Sequence, residues 1–390
     1  MYISYINKRN GEIETRYTDE PTDKNIKELE KRIHCFYYLY EWALQILQSG
    51  DISKRYRTEY RLKKNKTKRR IDVPDEELMK YQRTMVDIFN NHLSLLFPQS
   101  VYGYVKNRSA KSMAEVHRNQ TQVIKLDIKD FFPSCTLDFI LNSMSEVYPF
   151  CLLDSELIET IIKPCMIFYD GQYRLPQGAP TSPILSNIAM IPIDYELQSE
   201  VLFESNSSYI YDYTYTRFAD DIIISHGEFY FKSNLSNEEK LLYAILSGDL
   251  VPPETLTLEE KKDEIKKIIK KVIGDIEDCL KEHNPNFTIN SEKTKVLNTA
   301  CGDVWMLGVT VGEDVKIGNQ RKQRLKATLW SFLNDCKNGK HWSDKDTRKM
   351  LGKIGYAKYI EPNFVNELIS KYEQKTGTSF RKEVKKILCM

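Results

Sequence analysis

No apolar run in this sequence is long enough to cross a lipid bilayer, and its first residues do not form a secretory leader. The eight cysteines form no C-x-x-C pair, and no histidine near them suggests a zinc-binding module. Internal repeats and low-complexity tracts are also absent. These absences predict a cytoplasmic globular protein with reduced thiols and no membrane partner.

The chain has almost no excess charge, because its formal net charge is only +2 over 390 residues. The distribution of charge is more informative. Residues 316–390 carry 18 Lys and Arg against 7 Asp and Glu. This excess favours a helical region that contacts a nucleic-acid phosphate backbone, although a charged helical surface that keeps the protein soluble has the same composition. With 41% hydrophobic residues, the chain can bury a large shared core.

Two adjacent carboxylates, Asp220 and Asp221, stand between the β-forming segments 213–217 and 222–224. The pattern predicts a hairpin with the acidic pair at its turn. Aspartate favours turns for local reasons, so an ordinary acidic turn is one interpretation. Adjacent carboxylates also repel each other unless a cation neutralises them, so a metal site is the other.

A third carboxylate, Asp127, lies near the end of the predicted strand 123–128, whose other residues are mostly apolar. A lone buried carboxylate is costly, and the acidic pair at the hairpin could share a cation with it. A helix with Ser134 or Thr136 as N-cap is predicted to follow. Three carboxylates from two neighbouring strands suit a pair of Mg²⁺ ions in an in-line phosphoryl transfer, with Mn²⁺ as a substitute.

Three segments occur in the order LDIKDFF (126–132), LPQGAPTSPILSN (175–187) and RFADD (217–221). In this order they resemble the palm of reverse transcriptases, above all the bacterial retron, group II intron and phage-defence types. The resemblance implies an α+β right-hand polymerase fold with fingers, a palm of antiparallel sheet and helices, and a helical thumb. It also implies that Asp127, Asp220 and Asp221 are the metal-binding, catalytic aspartates.

The same resemblance assigns nucleotide-binding residues in the palm. Phe132 matches the aromatic steric gate that excludes a 2′-hydroxyl, so we expect dNTPs as substrates. Asp130 and Phe131 precede it, and core packing is an equal alternative for Phe131. Gln177 matches a glutamine beside the nucleotide and template.

Two basic residues of the segment 61–74 are also assigned by the resemblance to nucleotide binding. This segment looks like two strands around a basic turn and is similar to the fingers hairpin of the family. Lys64 and Arg69 correspond to the residues that close over the triphosphate, with Arg70 as an alternative to Arg69. An RNA-contacting patch is the more general interpretation of such a cluster.

Downstream, Lys293 in the segment 290–294 matches a lysine near the leaving pyrophosphate, where it could act as a general acid. Lys295 is the alternative, and a surface lysine is the simpler interpretation. Residues 305–309 correspond to the primer grip, with Gly308 allowing close approach of the backbone. The block GYVKNRS at 103–109 also resembles a segment between fingers and palm.

The family pattern predicts three domains: residues 1–122 with N-terminal helices and fingers, 123–315 as palm, and 316–390 as a helical basic thumb. An insertion at about 229–282 carries a charged helix, 258–281, for which a solvated surface is the favoured account. Apolar residues at helical spacing predict a helix over 22–49, namely Leu29, Ile33, Tyr37, Tyr40, Leu44 and Leu47. A second helix is expected over 75–97. Gly352 and Gly355 are expected to interrupt the thumb helices.

The sequence therefore predicts an RNA-directed DNA polymerase that copies an RNA template into DNA, without an RNase H domain. Two segments, MAEVH at 113–117 and MLG at 306–308, differ from the usual retron pattern and favour a defence-associated or abortive-infection type. A retron-type enzyme bound to its own non-coding RNA, an RNA polymerase and a non-catalytic RNA-binding scaffold stay open. The primer, whether an RNA 2′-hydroxyl, DNA or a protein side chain, is also open, as are a companion protein and an oligomer.

Overall fold

The computed structural model describes residues 2–6, 13–17, 23–62, 67–93, 97–201, 203–205, 209–227, 230–231, 258–298 and 303–388. The chain divides into two compact units. The first unit comprises residues 1–109 and 122–296, and the second comprises residues 110–121 and 297–390. No helix in the described ranges is both long and apolar enough to span a membrane.

The first unit is a mixed α+β structure, as the sequence predicts. Its strands are β1 Tyr2–Ile6, β2 Ile13–Tyr17, β3 Tyr56–Leu62, β4 Lys68–Pro74, β5 Gln122–Asp127, β6 Ile167–Tyr169, β7 Gln172–Arg174, β8 Phe203–Ser205, β9 Tyr209–Asp212, β10 Thr214–Phe218, β11 Asp221–His226 and β12 Tyr230–Phe231. The unit ends within β13, Lys295–Asn298. A four-stranded sheet has the order β10, β11, β5, β13, and a three-stranded sheet has the order β12, β9, β8. The pairs β1–β2, β3–β4 and β6–β7 are separate hairpins.

The centre of the four-stranded sheet is antiparallel, because β11 pairs in opposite direction with both β10 and β5. Three successive residues of β11, Ile222, Ile223 and Ile224, are fully buried. Successive side chains of a strand point to opposite faces, so both faces of this sheet are covered. Consecutive β-branched residues suit such a strand, and the hairpin predicted around residues 218–221 is confirmed.

The helices of the first unit pack around this sheet and beside it. They are α1 Asp23–Gln48, α2 Glu76–Leu93, α4 Phe131–Ser134, α5 Leu137–Glu146, α6 Ser155–Ile162, α7 Ser182–Ala189, α8 Ile191–Glu196 and α9 Leu258–His283. Thr136 caps α5 by accepting a hydrogen bond from the Phe139 backbone N–H at 3.3 Å. This confirms one of the two predicted caps, since Ser134 instead ends α4.

The predicted helix over 22–49 is confirmed as α1, but its predicted buried face is partly wrong. The buried side chains of its described part are Phe36, Leu39, Ala43 and Ile46, whereas Tyr37 is 54% exposed. These buried positions keep the helical spacing and precede the predicted ones by one residue. A shift of one residue turns the buried stripe by about 100° around the helix.

Helix α9 confirms the predicted helix at 258–281, yet the expectation of a solvated surface helix is wrong. Ile268, Val272, Ile276 and Leu280 are buried in the main hydrophobic core. Their spacing of four residues places them on one face, and the charged residues between them cover the other. The helix is thus a structural part of the first unit.

The second unit combines a small sheet with a helical bundle. Its strands are β14 Val304–Met306, β15 Val309–Val311 and β16 Val315–Ile317, and its helices are α3 Ala110–Val116, α10 Asn319–Lys337, α11 Asp344–Ile360, α12 Pro362–Thr376 and α13 Phe380–Leu388. The predicted helical core positions Leu325, Leu329, Phe332 and Leu333 are all buried.

The expected helix breaks in the second unit are wrong. Gly352 and Gly355 both lie inside α11. Buried Met350, Ile354 and Ala357 hold that helix against its neighbours. Packing of this kind outweighs a propensity cost of about 1 kcal/mol per glycine.

The described cysteines form no disulfide bond. Cys135, Cys165 and Cys279 are buried, whereas Cys35, Cys151 and Cys336 are partly exposed. Burial raises the pKa of the Cys135 and Cys165 thiols, the latter to about 12. Three of these six thiols are thus shielded from solvent, and the reduced state of the thiols stays a prediction.

A buried ion pair connects the central sheet to the helices beneath it. The guanidinium group of Arg217 on β10 donates to both carboxylate oxygens of Asp194 on α8, at 2.8 and 2.7 Å, and both side chains are fully buried. Arg217 also donates to Asn187 on α7 at 3.0 Å, and the Tyr215 hydroxyl donates to Asp194 at 2.7 Å. Burial alone would lower the pKa of Arg217, but Asp194 raises it above its usual value.

We expect Asp194→Ala to destabilise the protein by about 3–5 kcal/mol, because it leaves the Arg217 guanidinium buried without a counter-charge. Urea unfolding followed by circular dichroism would measure the change. Asp263→Ala is the control, since Asp263 is exposed and pairs with Lys266 about one helical turn away, and it should leave the midpoint unchanged. A loss in Asp194→Ala no larger than in this control would contradict the structural role of the pair.

Candidate active site

The three predicted metal-binding carboxylates meet at one end of the central sheet. Asp127 is the last residue of β5, and Asp221 is the first residue of β11. These two residues are direct cross-strand partners in the antiparallel register. Asp220 lies in the turn before β11, and its carbonyl oxygen accepts a hydrogen bond from the Ile128 N–H at 2.9 Å. Residues in such register lie about 5 Å apart, so the fold brings all three carboxylates together.

The turn that carries Asp220 is held by a close backbone contact. Ala219 has a φ of 57°, which is uncommon for a residue with a side chain. A Cβ atom on Gly103 would lie 2.6 Å from the Ala219 nitrogen, so only glycine fits at position 103. The Gly103 carbonyl oxygen also accepts a hydrogen bond from Asn187 at 2.6 Å. Gly103, the first residue of the block at 103–109, therefore packs against the acidic turn.

The carboxylates perturb one another electrostatically. Burial raises the pKa of Asp221 to about 6, and repulsion from Asp220 and Asp127 adds to this effect. Burial and the charge of Asp127 also raise the pKa of Asp220. Raised carboxylate pKa values mean that negative charge is unfavourable here, so a bound cation would stabilise the ionised forms.

Lys293 supplies one positive charge to this cluster. Its ammonium group contacts both carboxylate oxygens of Asp127 at 2.7 Å, while its side chain stays 60% exposed. Asn290 anchors the same segment, since its backbone N–H donates to the Asp127 carbonyl oxygen at 2.8 Å. The predicted catalytic lysine thus lies at the carboxylates. Asn290 was not singled out as a site residue, although it stands in the segment that the sequence pattern identified.

These residues fit a divalent-metal site. The three side chains offer hard oxygen ligands, which Mg²⁺ and Mn²⁺ prefer. Burial, and then repulsion from neighbouring carboxylates, raises the pKa of Asp220 and Asp221, and bound cations would oppose both effects.

Beside the carboxylates, a cavity of about 280 Å³ is lined by the predicted nucleotide-binding residues Arg69, Asp130 and Gln177. Arg69 is exposed on β4, and its positive charge lowers the pKa of Asp220. The loop with Gln177 docks on the same strand, because the Asp72 N–H donates to the Gln177 carbonyl oxygen at 2.7 Å. The cavity is therefore open to an anionic ligand close to the carboxylates.

Arg70 has a different environment from Arg69. Its Nε donates to both carboxylate oxygens of Asp72, at 2.9 and 3.0 Å. Its guanidinium group also lies 4.3 Å from the centre of the Tyr169 ring. These contacts occupy Arg70, so the arrangement favours Arg69 as the phosphate-binding arginine.

The two adjacent phenylalanines differ in burial. Phe131 is buried and stacks on Phe287, with ring centres 5.8 Å apart. Phe132 is only partly buried. This placement favours core packing for Phe131, whereas the Phe132 ring keeps part of its surface accessible. Lys64 lies outside the described residues.

Two further residues near the site did not emerge from the sequence pattern. Arg174 lines the same cavity and donates to the Pro133 carbonyl oxygen at 2.8 Å. Tyr104 is about half exposed, and its ring centre lies 6.2 Å from that of Phe218, next to the acidic turn. The only feature of the sequence that points to Tyr104 is its position in the block at 103–109.

The segment predicted as primer grip forms the β14–β15 hairpin of the second unit. Gly308 has a φ of 96°, and its carbonyl oxygen accepts a hydrogen bond from Arg321 at 2.8 Å. The Arg321 guanidinium lies 5.2 Å from the Trp305 ring and 5.6 Å from the Tyr356 ring. A groove of about 510 Å³ is lined by Arg321, Arg324, Lys349, Lys353 and Tyr356, among other residues. Basic and aromatic side chains together are typical of nucleic-acid-binding surfaces.

Residues 62–231 match the family described as "Reverse transcriptase (RNA-dependent DNA polymerase)". Among curated proteins, the retron Ec73 reverse transcriptase of Escherichia coli is 29% identical over 74% of this chain and 78% of its own length. The retron Ec83 reverse transcriptase of the same organism is 24% identical over 80% of this chain and 85% of its own length. The retron Mx65 reverse transcriptase of Myxococcus xanthus is 26% identical over 77% of this chain and 60% of its length.

Solved structures give a more distant similarity. Apo telomerase from Candida Tropicalis has a TM-score of 0.44 and 12% identity, covering 99% of this chain and 67% of its own. A version truncated from its C-terminal domain has a TM-score of 0.41 and 14% identity, covering 69% of this chain and 56% of its own. This similarity is too low to add to the argument.

The family match spans the segment that contains strand β4 of the fingers-like hairpin, Asp127, Gln177 and the acidic turn. The curated relatives extend the similarity over about three quarters of the chain. Together with the α+β architecture and the antiparallel sheet, these findings confirm the predicted fold class, the right-hand polymerases. Residues 62–231 therefore match the reverse transcriptase family, and over about three quarters of its length the chain is similar to bacterial retron reverse transcriptases.

Proposed function

We propose that this protein extends a primer with dNTPs on an RNA template, using Asp127, Asp220 and Asp221 to hold two Mg²⁺ ions. The proposal rests mainly on the meeting of these three carboxylates at one end of the central sheet, where the pKa of Asp221 is raised to about 6. The ions would activate the primer 3′-hydroxyl and neutralise the leaving pyrophosphate. Mn²⁺ has the same preference for oxygen ligands and could replace Mg²⁺.

The remaining residues would position the substrate rather than react with it covalently. Arg69 would bind the triphosphate, because its exposed guanidinium faces a cavity next to Asp220. Gln177, which also lines that cavity, would contact the nucleotide or template. Asp130 also lines the cavity, where it would limit how closely a phosphate can approach that side.

Lys293 would act at the leaving group. In the structure its ammonium group pairs with Asp127. Its side chain is 60% exposed, so it can rotate towards a bound pyrophosphate once cations neutralise the carboxylates. There it would stabilise negative charge and donate a proton to the leaving oxygen.

The basic groove of the second unit supports a nucleic-acid partner. Arg321, Arg324, Lys349 and Lys353 line it without a carboxylate among the lining residues. Binding of phosphates at such a surface releases counterions, so affinity for RNA or DNA should fall steeply with salt. We propose an RNA template and a DNA product as the partners of this surface.

A retron-type enzyme, bound to its own structured RNA, is the second candidate. It is favoured by the names of the curated relatives, which are retron reverse transcriptases. Phage defence is the biological setting we propose, and its support is the resemblance to defence-associated members of the family. Sequencing the nucleic acid that copurifies with the protein separates the two candidates. One RNA species joined to DNA identifies a retron-type enzyme, and mixed RNA fragments identify a general polymerase.

Asp220→Asn is expected to reduce primer extension on an RNA template by at least about 100-fold, because it removes one negative charge from the metal-binding set. The assay measures dNTP incorporation by the purified protein in Mg²⁺. Asp170→Asn is the matched control, since Asp170 is an exposed turn residue with a φ of 53° that asparagine tolerates.

The control should retain full activity, and both variants should show the melting temperature of the unchanged protein or a higher one. Comparable activity of Asp220→Asn and the control would exclude two-metal catalysis at this site. A non-catalytic RNA-binding scaffold would instead give no primer extension in the unchanged protein, the variant or the control, and it would keep its effect on phage infection without this carboxylate.

Phe132→Ala should allow NTPs to replace dNTPs, with a gain of about tenfold or more in the ratio of their incorporation rates. The reason is that removing this partly exposed ring, five residues after Asp127, would make room for a 2′-hydroxyl. Single-nucleotide incorporation would measure the ratio. Phe132→Tyr keeps the bulk and should keep the preference for dNTPs, whereas an unchanged ratio in Phe132→Ala would contradict the steric-gate assignment.

Asp221→Asn is expected to stabilise the metal-free protein at about pH 7.5, on the order of 1–2 kcal/mol. The pKa of this carboxyl is raised from 3.8 to about 6 in the folded state. Above pH 6 the ionised form therefore opposes folding, and the variant relieves this cost. As the pH falls from 6 towards 3.8, the advantage of asparagine should shrink, and it should vanish near pH 3.8, where the carboxyl is protonated in the unfolded chain as well.

Urea unfolding in a chelator, at about pH 7.5 and at about pH 5, would test this sign. Asp170→Asn again serves as the control and should be neutral at both pH values. A variant less stable than the unchanged protein at the higher pH would show that Asp221 is favourably paired rather than repelled.

A further inference from the structure

A second cluster of potential metal ligands lies in the first unit, separate from Asp127, Asp220 and Asp221 at the end of the central sheet. It consists of Glu196, Cys279 and His283. One ligand atom from each residue lies within 4.8 Å of those of the other two. The cluster joins the last residue of α8 to the last turns of α9.

The local geometry follows from helix periodicity. Cys279 and His283 are four residues apart on α9, so their side chains lie on the same face. Glu196 approaches from α8, and its carboxylate lies 2.7 Å from His283 Nε2. This spacing corrects the sequence-based view that no cysteine has a histidine at metal-ligand distance.

The donor set is that of a transition metal rather than of Mg²⁺. Thiolate, imidazole and carboxylate together suit Zn²⁺, which binds S, N and O ligands at about 2.0–2.3 Å. Tetrahedral coordination at those bond lengths separates the ligand atoms by about 3.3–3.7 Å. Because the atoms here are already within 4.8 Å of one another, small side-chain rotations would bring them into that arrangement.

The surroundings of the cluster also suit an ion. Cys279 is buried, whereas the side chains of His283 and Glu196 are 26% and 29% exposed. One side is thus protected from solvent, and the other gives an ion a route of entry and room for a water as fourth ligand.

We propose that Glu196, Cys279 and His283 bind one Zn²⁺ ion, which fixes the end of α9 to α8. The chain after this point carries residues of the active site. Asn284 donates to the Ser134 carbonyl oxygen at 2.9 Å, and Phe287 stacks on Phe131. Asn290 and Lys293 then contact Asp127. An ion at the helix end would therefore restrict the segment that positions Lys293.

Cobalt substitution would test the site without using polymerase activity. The full-length protein is stripped of metal with a chelator and titrated with Co²⁺. Binding at the proposed site gives a thiolate-to-cobalt charge-transfer band with a stoichiometry of one. Co²⁺ at the oxygen ligands Asp127, Asp220 and Asp221 gives no such band, so the two sites are distinguished in one experiment.

Cys279→Ser should abolish the band, and Cys336→Ser, a partly exposed cysteine of the second unit, should keep it. His283→Gln retains a hydrogen-bonding side chain opposite Glu196 and should weaken Zn²⁺ binding at least about tenfold in competition with a chromophoric chelator. Zn²⁺ should also raise the melting temperature of the unchanged protein by about 2 °C or more, but not that of His283→Gln.

Absence of the band in the unchanged protein would overturn the proposal, and so would a band that persists in Cys279→Ser. In either case the cluster is a hydrogen-bonded pair beside a buried thiol. Because the readouts are spectroscopic and thermal, a negative result here leaves the proposed polymerase function untouched.

Discussion

Electrostatic repulsion among three carboxylates is the constraint around which the first unit is built. Asp127 and Asp221 face each other across two strands, and Asp220 stands in the adjoining turn. Burial, together with repulsion from Asp220 and Asp127, raises the pKa of Asp221, so its ionised form is unfavourable in this arrangement. The surrounding residues must therefore hold the turn rigidly, since repulsion would move the carboxylates of a flexible turn apart.

That support is a buried polar network directly beneath the turn. Arg217 precedes the acidic residues on β10 and is held by Asp194, Tyr215 and Asn187. Asn187 in turn donates to the Gly103 carbonyl oxygen, where glycine allows the backbone to contact the turn. A buried ion pair contributes little net stability, but it fixes geometry when all its partners are satisfied. The acidic turn is therefore held in place by hydrogen bonds to buried core residues.

Much of this arrangement was predictable from the residues. The hairpin around Asp220 and Asp221, the fingers-like hairpin of β3 and β4 and the C-terminal helices follow from alternation and helical spacing. Errors occurred where tertiary packing overrides local preference. Gly352 and Gly355 do not interrupt α11, and the charged helix α9 buries one face. In α1, each buried apolar residue precedes the predicted one by one position. Composition indicates that a helix forms, but its neighbours decide which face is buried.

By itself, the sequence determined the chemistry of the site: which carboxylates, which basic residues and which aromatic ring are available, and the family to which their order belongs. Only the tertiary structure decided which of these groups meet. It paired Lys293 with Asp127 and placed Arg69 beside the cavity. It engaged Arg70 with Asp72, and it brought Glu196 to Cys279 and His283. The physical reason is that contacts between residues far apart in the chain depend on strand register and helix packing, which local patterns do not encode.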